Sequence, residues 1–376
     1  MPIAKTLEDA YILADPVVPL PSGDPRYVDC TPVRGNEDVV SQMLKAVTWS
    51  ANPTAQLFTG HRGSGKSTEL LRLQTRLEEA GYIVLYFEAD EDLDLNDIEY
   101  TDLLLSIARR ITSDLGSKGI NLSENLLKEV ENWFRETLYT EDQVKEINRE
   151  LQTEATLGIG LPDSLPLVAR LLARLTGQIK TGRTVKTEIR QKLDPQISQL
   201  IGNLNLLLRF ANVQILKKGQ KGIVLIIDNL DRIVFRSLGD GRTTHTALYV
   251  EHGEQLRSLD CHVIYTVPIS LMYSVYATAV RAIYPDCPVL PMIKVHNQDS
   301  TPNAEGIKYL KKILAARVEL DDIFTPEAVD YLCQISGGHP RDLMFLVRQA
   351  CVYAPGDLWP RRSEERRVGK ECRSRW

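Results

Sequence analysis

The chain lacks the cysteine pattern of a disulfide framework or a zinc site. Its six cysteines are scattered over 376 residues, and no two of them form a C-x-x-C pair. The six histidines also lack the spacing of metal ligands. Such usage is typical of reduced thiols, so the sequence predicts a cytoplasmic protein and not a disulfide-rich secreted one.

Long apolar runs are missing as well. The nearest candidate for a membrane span, residues 157–177, contains charged side chains such as Asp163 and Arg170. A spanning helix needs about 20 predominantly apolar residues. At the N-terminus, Lys5 and Glu8 interrupt the apolar core that a signal peptide requires. The sequence therefore predicts no membrane span.

Charge of one sign is not in large excess. The formal net charge is −5, with 43% hydrophobic and 25% charged residues, which is the composition of an ordinary globular protein. This balance argues against a chain that coats itself non-specifically with nucleic acid. One basic cluster, Arg170–Lys192, stands out. Its simplest interpretation is a solvated face, and its alternative is a surface for nucleic acid, anionic lipid or a protein partner.

One glycine-rich segment carries a specific signal. Residues Gly60–Ser67 read Gly-His-Arg-Gly-Ser-Gly-Lys-Ser and match the phosphate-loop pattern G-x-x-x-x-G-K-[ST]. The apolar residues 57–59 precede it as a predicted strand, and leucines at positions 70, 73 and 77 follow at helical spacing. A strand, a glycine loop and a helix are the context that this motif needs. The alternative is an ordinary glycine-rich turn with a surface lysine.

The chemistry of the loop follows from its residue types. Glycines let the backbone bend so that successive N–H groups cradle an anion, and the helix that follows points its positive end at the phosphates. Lys66 is expected to reach the β- and γ-phosphates, and the hydroxyl of Ser67 to ligate Mg²⁺. No guanine-reading N-K-x-D tetrapeptide occurs, which favours ATP over GTP. The predicted cofactors are ATP and Mg²⁺, bound by Gly60, His61, Arg62, Gly63, Ser64, Gly65, Lys66, Ser67 and Thr68.

An acidic residue closes the most apolar segment of the chain. Residues 222–228 form a β-branched run typical of a buried strand in a parallel sheet, and Asp228 ends it. Mg²⁺ beside a phosphate loop needs a carboxylate at the end of such a strand. We therefore predict Asp228, with Ser67, as a metal ligand, and Asp231 as the group that orients or deprotonates the attacking water. Both acids could instead begin a turn or cap a helix.

A second acidic stretch, residues 90–94, follows the predicted strand Tyr82–Glu88. It is predicted as a solvated loop, although acids that follow a strand could also face the nucleotide.

Four features together resemble a known family. They are the phosphate loop, the strand ending at Asp228, the polar Thr266 at the end of the next strand, and the segment Gly337–Arg341 in a helical C-terminal region. They resemble an AAA+/STAND-type P-loop ATPase of the origin-recognition, STAND and KAP branches, over residues 27–355. Residues 34–37 resemble the family's N-terminal base-binding segment.

The resemblance implies further roles for individual residues. Thr266 would sense the γ-phosphate, Pro340 would pack beside the base, and Arg341 would reach the phosphates, although Arg341 could equally be a surface arginine. The expected catalytic residues are then Lys66, Asp228, Asp231, Thr266 and Arg341.

The sequence also departs from the family. The usual glutamate after the strand aspartate is Asn229 here, so hydrolysis would depend on Asp231 or another acid and would be slow. No arginine finger is evident, since Arg281 could equally be a surface charge. The phosphate loop and Asp228 lie much farther apart than the core fold needs, which indicates a helical insertion.

The expected fold class is α/β, a doubly wound parallel-sheet P-loop NTPase core with a large helical insertion and a C-terminal helical lid. Its expected segments are an irregular, proline-rich N-terminal segment (1–35), the first part of the core (36–114), the insertion (115–220), the second part of the core (221–300), the lid (301–360) and a non-native tail (361–376).

The expected function is an ATP-binding and slowly ATP-hydrolysing regulatory switch with a protein partner or self-association. One alternative is a DNA-associated ATPase helper of the origin-loading or transposition type, which would use the basic cluster. Others are a small-molecule phosphotransferase, for which no acceptor pocket is recognisable, and a non-hydrolysing ATP-binding module, which Asn229 would permit.

Overall fold

The structure, a computed structural model, describes residues 3–140, 143, 149 and 165–354. The predicted tail (361–376), the last residues of the predicted lid (355–360) and most of positions 141–164 in the predicted insertion lie outside the described residues.

A five-stranded parallel sheet organises the chain, in the order β2-β3-β6-β1-β7. A separate two-stranded hairpin, β4-β5, follows the strand that ends at Asp228. The strand bounds are β1 Ala55–Gly60, β2 Tyr82–Glu88, β3 Gly222–Asp228, β4 Ser237–Gly239, β5 Arg242–Thr243, β6 His262–Val267 and β7 Val289–Leu290.

The other regular elements are helices, and the longer ones carry apolar residues at helical spacing. The four longest after β2 belong to the predicted core and insertion. The helix bounds are α1 Leu7–Leu13, α2 Val39–Thr48, α3 Lys66–Glu79, α4 Ala89–Asp92, α5 Tyr100–Ser117, α6 Glu124–Leu138, α7 Leu167–Thr181, α8 Arg183–Leu193, α9 Ile197–Lys217, α10 Thr244–Thr246, α11 Gly253–Arg257, α12 Ile269–Met272, α13 Ala277–Ile283, α14 Ala304–Ala315, α15 Leu320–Ile323, α16 Pro326–Ile335 and α17 Pro340–Tyr353.

The chain forms two compact units, each with its own apolar core. The first, called the loop unit below, comprises the chain up to Gln42, Gly60–Leu73 and the chain from Val289 onward. The second, called the sheet unit, comprises Met43–Thr59 and Gln74–Pro288. The phosphate loop therefore belongs to the loop unit, and Asp228 belongs to the sheet unit.

Register within the sheet unit aligns the ends of four strands. Glu88 of β2 pairs with Asp228 of β3, and Phe58 of β1 pairs with Thr266 of β6. Because all of these strands are parallel, their carboxyl ends lie at one edge of the sheet, which is where α/β proteins place their binding residues. Helix α5 packs on β2 and helix α9 packs on β3.

The N-terminal segment is more ordered than its proline-rich sequence predicted. Helix α1 begins after Thr6, whose hydroxyl accepts a hydrogen bond from the Asp9 N–H at 3.1 Å. This is an ordinary N-cap, which satisfies a backbone donor at the helix start. Helix α1 packs on α17, and Ala4 forms a β-bridge with Val318. The segment is thus part of the helical core of the loop unit.

Helix α4 differs from the loop predicted for residues 90–94. Asp92 is only 2% exposed, and its carboxylate accepts hydrogen bonds from Arg109, Arg110 and Ser106 of α5. The prediction of a solvated loop was therefore wrong at this position. An acidic run looks solvated in a sequence because its distant partners cannot be seen there.

Gly338 lies at a close backbone approach within the loop unit, which a substitution can test. Its φ is +82°, and a Cβ at this position would lie 1.9 Å from the carbonyl oxygen of Ile293. We expect Gly338→Ala to cost about 3 kcal/mol or more, because the backbone must move to relieve both strain and clash. The measurement is the unfolding free energy from thermal or urea denaturation.

Gly337 is the matched control for this substitution. Its φ is +60°, but a Cβ there would meet nothing within 4 Å. Gly337→Ala should therefore show only the left-handed strain of roughly 1–2 kcal/mol. Equal destabilisation by the two alanines would contradict the close backbone approach at Gly338.

Candidate functional site

The phosphate loop turns on glycines with positive φ. Gly63 has φ +87° and Gly65 has φ +99°, both in the left-handed region that other residues avoid. Between them, the Ser64 N–H donates to the His61 carbonyl at 3.2 Å. Helix α3 then begins at Lys66. The backbone conformations that the motif demands are thus present.

Lys66 lies over the loop that it belongs to. Its Nζ donates to the carbonyl oxygens of Gly60 and His61, both at 2.9 Å, and the side chain is buried. These two hydrogen bonds hold the ammonium group against the first two residues of the phosphate loop. Of the neighbouring predicted residues, Arg62 is exposed and Ser67 is half-buried.

Thr68 has a structural contact that the motif does not reveal. Its hydroxyl oxygen accepts a hydrogen bond from the Leu20 N–H at 3.2 Å. The N-terminal segment is thereby fastened to the first turn of α3, within the loop unit.

Arg34 brings a second cation to the phosphate loop. Its Nη2 donates to the Ser64 carbonyl at 2.7 Å, and the residue is 7% exposed. Sequence reasoning did not place this residue among the site residues, although the resemblance of residues 34–37 to a base-binding segment was a signal. Arg34 thereby fixes the Ser64 carbonyl and brings a positive charge to the phosphate loop.

The C-terminal Gly337–Arg341 segment contacts the phosphate loop within the loop unit. The Arg341 N–H donates to the Gly63 carbonyl at 3.3 Å, and a Cβ on Gly63 would lie 2.9 Å from the Arg341 Cβ. Pro340 is the first residue of α17, a favoured place for proline. The Arg341 guanidinium donates to the Pro16 carbonyl at 3.2 Å.

Two histidines meet beside this contact. The rings of His61 and His339 lie edge to face with centroids 6.0 Å apart. Burial lowers the pKa of His339, which favours the neutral imidazole. The loop unit therefore assembles the predicted phosphate loop, Pro340 and Arg341 around one turn.

The acidic residues occupy the carboxyl edge of the sheet unit. Asp228 is 1% exposed; its Oδ2 accepts from the Tyr86 hydroxyl at 2.9 Å, and its Oδ1 accepts from the Asn229 N–H at 2.7 Å. Burial, followed by the charge of Asp228, raises the pKa of Tyr86, so the phenol keeps its proton and donates. Tyr86 holds the orientation of the predicted metal ligand, and sequence reasoning missed it.

Asn229 makes an unusual turn after β3. Its φ is +64°, and its side-chain Nδ2 donates to Glu88 Oε2 at 2.7 Å and to Asp90 Oδ1 at 2.8 Å. Asp90 also accepts from Arg232 at 3.0 Å. Burial, followed by the charges of Asp90 and Asp228, raises the pKa of Glu88. Sequence reasoning missed Glu88 too, because its place beside Asp228 depends on the register between β2 and β3.

Thr266 supports the same turn from β6. It is fully buried, accepts a hydrogen bond from the Leu230 N–H at 3.0 Å and donates to the Ile227 carbonyl at 3.4 Å. Asp231 lies half-buried in the short 3₁₀ turn Leu230–Arg232. The sheet unit therefore brings Asp228, Asp231 and Thr266 to one edge. Arg281 is exposed in α13.

The basic cluster Arg170–Lys192 supplies cations to acids inside the sheet unit. Lys186 pairs with Asp94 at 3.4 Å and with Asp97 at 3.0 Å, and Arg190 contacts Asp97, Glu99 and Asp102. The interpretation as a solvated face is wrong at these two positions. Two other cations of the cluster bind backbone carbonyls: Lys180 those of Asp90 and Glu91, and Lys192 that of Leu138.

The fold class is the one that the sequence predicted: α/β, with a five-stranded parallel sheet, helices between β2 and β3, and a helical C-terminal region. Among the helices in the described part of the chain, none combines the length and the apolar character needed to cross a membrane.

Comparison with known proteins gives similarity at the level of structure. No protein-family model matches the chain, and no curated protein sequence matches it either. Three of the solved structures similar to it are described here. The Aeropyrum pernix ORC1 protein in complex with DNA has 14% identity and a TM-score of 0.40, covering 92% of this chain and 64% of that one.

The other two structures give similar values. The Aeropyrum pernix ORC2 protein in ADPNP-ADP complexes has 13% identity and a TM-score of 0.40, covering 91% of this chain and 66% of that one. CDC6P from Pyrobaculum aerophilum has 10% identity and a TM-score of 0.39, covering 89% and 64%. The chain thus spans just under two thirds of the length of each of these proteins.

Proposed function

We propose that the protein binds Mg·ATP and acts as an ATP-dependent regulatory switch of the AAA+/STAND type, with slow hydrolysis. The observation that carries the proposal is the phosphate loop itself. It has the full motif, left-handed glycines at Gly63 and Gly65, and a buried Lys66 at the start of α3. Amides at a helix start together with a cation form a phosphate-binding arrangement.

The proposed metal-side residues are Ser67 and Asp228. In the sheet unit, β1 and β3 run parallel, so the end of β1 that leads into the phosphate loop and the end of β3 at Asp228 lie at the same edge. This supports Asp228 as the acid that serves Mg²⁺, directly or through water. Thr266 holds the turn after β3 and is proposed to respond to the γ-phosphate through it. Arg341 and Pro340 are proposed as nucleotide contacts of the C-terminal helices.

The regulatory role is supported by an ion pair and hydrogen bonds that converge on α4. Asp90 is held by Asn229 and Arg232 from the turn after β3, while Lys180 of α7 binds the carbonyl of the same residue. A change in the conformation of this turn would therefore alter the contacts of α7, which belongs to the predicted insertion. We propose that the insertion transmits the nucleotide state to a protein partner or to a second copy of the chain.

The alternatives stand differently. Nucleic-acid binding through Arg170–Lys192 stays a prediction. Two cations of this cluster, Lys186 and Arg190, form ion pairs with acids of the same unit, which leaves fewer charges for nucleic acid. A single-turnover assay distinguishes a non-hydrolysing ATP-binding module from the switch, because only the switch releases phosphate.

The test of the proposal is the Mg²⁺ dependence of ATP binding. We expect wild-type protein to bind ATP more tightly with Mg²⁺ than without it, and Asp228→Asn to lose about tenfold of that gain because the charge facing the metal is removed. Titration calorimetry with and without Mg²⁺ measures both. Asp240→Asn, in the exposed β4-β5 hairpin, is the matched control. A wild-type protein that binds no ATP would contradict the proposed function.

A further inference from the structure

We propose that residues 15–20, called the strap below, restrain Arg341 in the nucleotide-free protein and are released when a nucleotide binds the phosphate loop. This inference rests on the proposed ATP binding and deepens it by naming a device that regulates the same site. The strap follows helix α1, and the contacts that hold it all lie within the loop unit.

The strap joins the two helices that begin at the proposed nucleotide site. The Pro16 carbonyl accepts a hydrogen bond from the Arg341 Nε at 3.2 Å, in the first turn of α17. At the other end of the strap, the Leu20 N–H donates to the Thr68 hydroxyl at 3.2 Å, in the first turn of α3. The strap therefore bridges the starts of α3 and α17.

Asp15 adds a third contact and shapes the bend of the strap. Its Oδ1 accepts a hydrogen bond from the Val17 N–H at 2.8 Å, and its carboxylate lies 3.8 Å from the Arg348 guanidinium of α17. This ion pair is long and partly exposed, and such pairs contribute little to stability. The two hydrogen bonds to α3 and α17 have neutral acceptors. The strap is thus held in place by several weak contacts.

The middle of the strap buries little apolar surface. Val17 is 72% exposed and Val18 is 63% exposed. Helix α1, which precedes the strap, is anchored in the core by the fully buried Ala10 and Ala14. Segments with few buried apolar contacts open at a low cost in free energy. The strap can therefore open while the helix before it stays packed.

Arg341 connects the strap to the phosphate loop. Its backbone N–H donates to the Gly63 carbonyl at 3.3 Å, which keeps the residue beside the loop. Hydrogen bonds between charged partners are about twice as strong as those between neutral ones, so a phosphate oxygen is a stronger acceptor for the guanidinium than the Pro16 carbonyl. A nucleotide would therefore compete with the strap for Arg341. Because coupling between two sites is reciprocal, loosening the strap should in turn raise the affinity for ATP.

The experiment is limited proteolysis with elastase, which cleaves after small aliphatic residues. Cleavage after Val17 should be at least about fivefold faster with saturating Mg·ATP than without nucleotide, because proteolysis follows the population of the open strap. Val275, which is 92% exposed in the sheet unit, provides an internal reference whose cleavage rate should not change. Mass spectrometry of the fragments measures both rates.

Asp15→Ala loosens the strap without altering a proposed nucleotide contact. We expect faster cleavage after Val17 in the absence of nucleotide, and an affinity for Mg·ATP about two- to fivefold higher by calorimetry. Asp299→Ala is the matched control, since Asp299 is also exposed and also accepts a backbone N–H from two residues ahead, that of Thr301 at 3.0 Å. This control should behave like wild type in both measurements.

The affinity separates a regulatory strap from a structural tether. A tether would give faster cleavage in Asp15→Ala with unchanged ATP affinity, and a support for the site would give lower affinity. Either result would overturn the proposal. In a wild-type protein that binds ATP, a cleavage rate after Val17 that does not respond to ATP, or that rises equally with the rate at Val275, would overturn it too.

Arg341→Ala removes the residue for which strap and nucleotide compete. In this variant, cleavage after Val17 should be fast without nucleotide, and Mg·ATP should add little. A full ATP response in Arg341→Ala would show that the response does not pass through this residue and would overturn the proposal. A wild-type protein that binds no ATP would instead remove the proposed function, and the regulatory role of the strap with it.

Discussion

Lys66→Ala should lower the affinity for Mg·ATP by about 10- to 100-fold, because a charge-assisted contact to phosphate contributes about 1.5–3 kcal/mol. In the structure the ammonium group lies over the loop, on the carbonyls of Gly60 and His61. We expect it to exchange these neutral acceptors for phosphate oxygens, which carry full negative charge. Fluorescent-nucleotide titration at fixed ionic strength measures the change.

Two further variants make this result interpretable. Lys308→Ala removes an exposed lysine of the loop unit that pairs with Glu305, and it should bind ATP like wild type. Lys66→Arg keeps the charge but changes its shape, and we expect intermediate affinity. Undiminished affinity in Lys66→Ala, with the fold intact by circular dichroism, would remove the phosphate loop from the proposed function.

Asp92→Ala should destabilise the protein by about 3–5 kcal/mol, the usual cost of breaking a buried ion pair. Asp92 is 2% exposed, and its Oδ2 accepts from Arg110 at 2.9 Å and from Ser106 at 3.1 Å, with Arg109 on the other oxygen. Its removal leaves the positive charges of Arg109 and Arg110 without the buried carboxylate that they pair with. Urea unfolding at pH 7 measures the loss.

The adjacent Glu91 provides a control on the same short helix. Its side chain is 56% exposed and pairs with Arg110 at the surface. Exposed ion pairs contribute at most about 1 kcal/mol, so Glu91→Ala should have a small effect. If the two alanine variants unfold at the same urea concentration, the buried pairing of Asp92 does not hold.

Local signals were sufficient for the core of the site. The phosphate loop needs particular residues at consecutive positions, so Gly63, Gly65 and Lys66 could be assigned from the sequence, and their backbone conformations agree. The strand before Asp228 was equally readable, because a continuous β-branched run has few other uses. Both features depend on short-range chemistry.

Pairings between distant residues could not be predicted in this way. The acidic residues after β2 and the basic cluster at Arg170–Lys192 were each interpreted as solvated. In the structure, Asp92, Lys186 and Arg190 instead pair with charged residues far away in the chain. Composition gives each charge but not its partner. The same limit concealed Tyr86 and Glu88, whose importance depends on the register between β2 and β3.

The sequence alone determined the phosphate loop, the parallel α/β core and the apolar strand that ends in an acid, since each is encoded within a few consecutive residues. Only the tertiary structure decided which carboxylates face the edge of the sheet, which cations are used internally, and that Arg34 and Arg341 contact the loop. The physical reason is that strand register and helix packing join residues far apart in the chain, and burial then sets the charge and hydrogen bonding of each one.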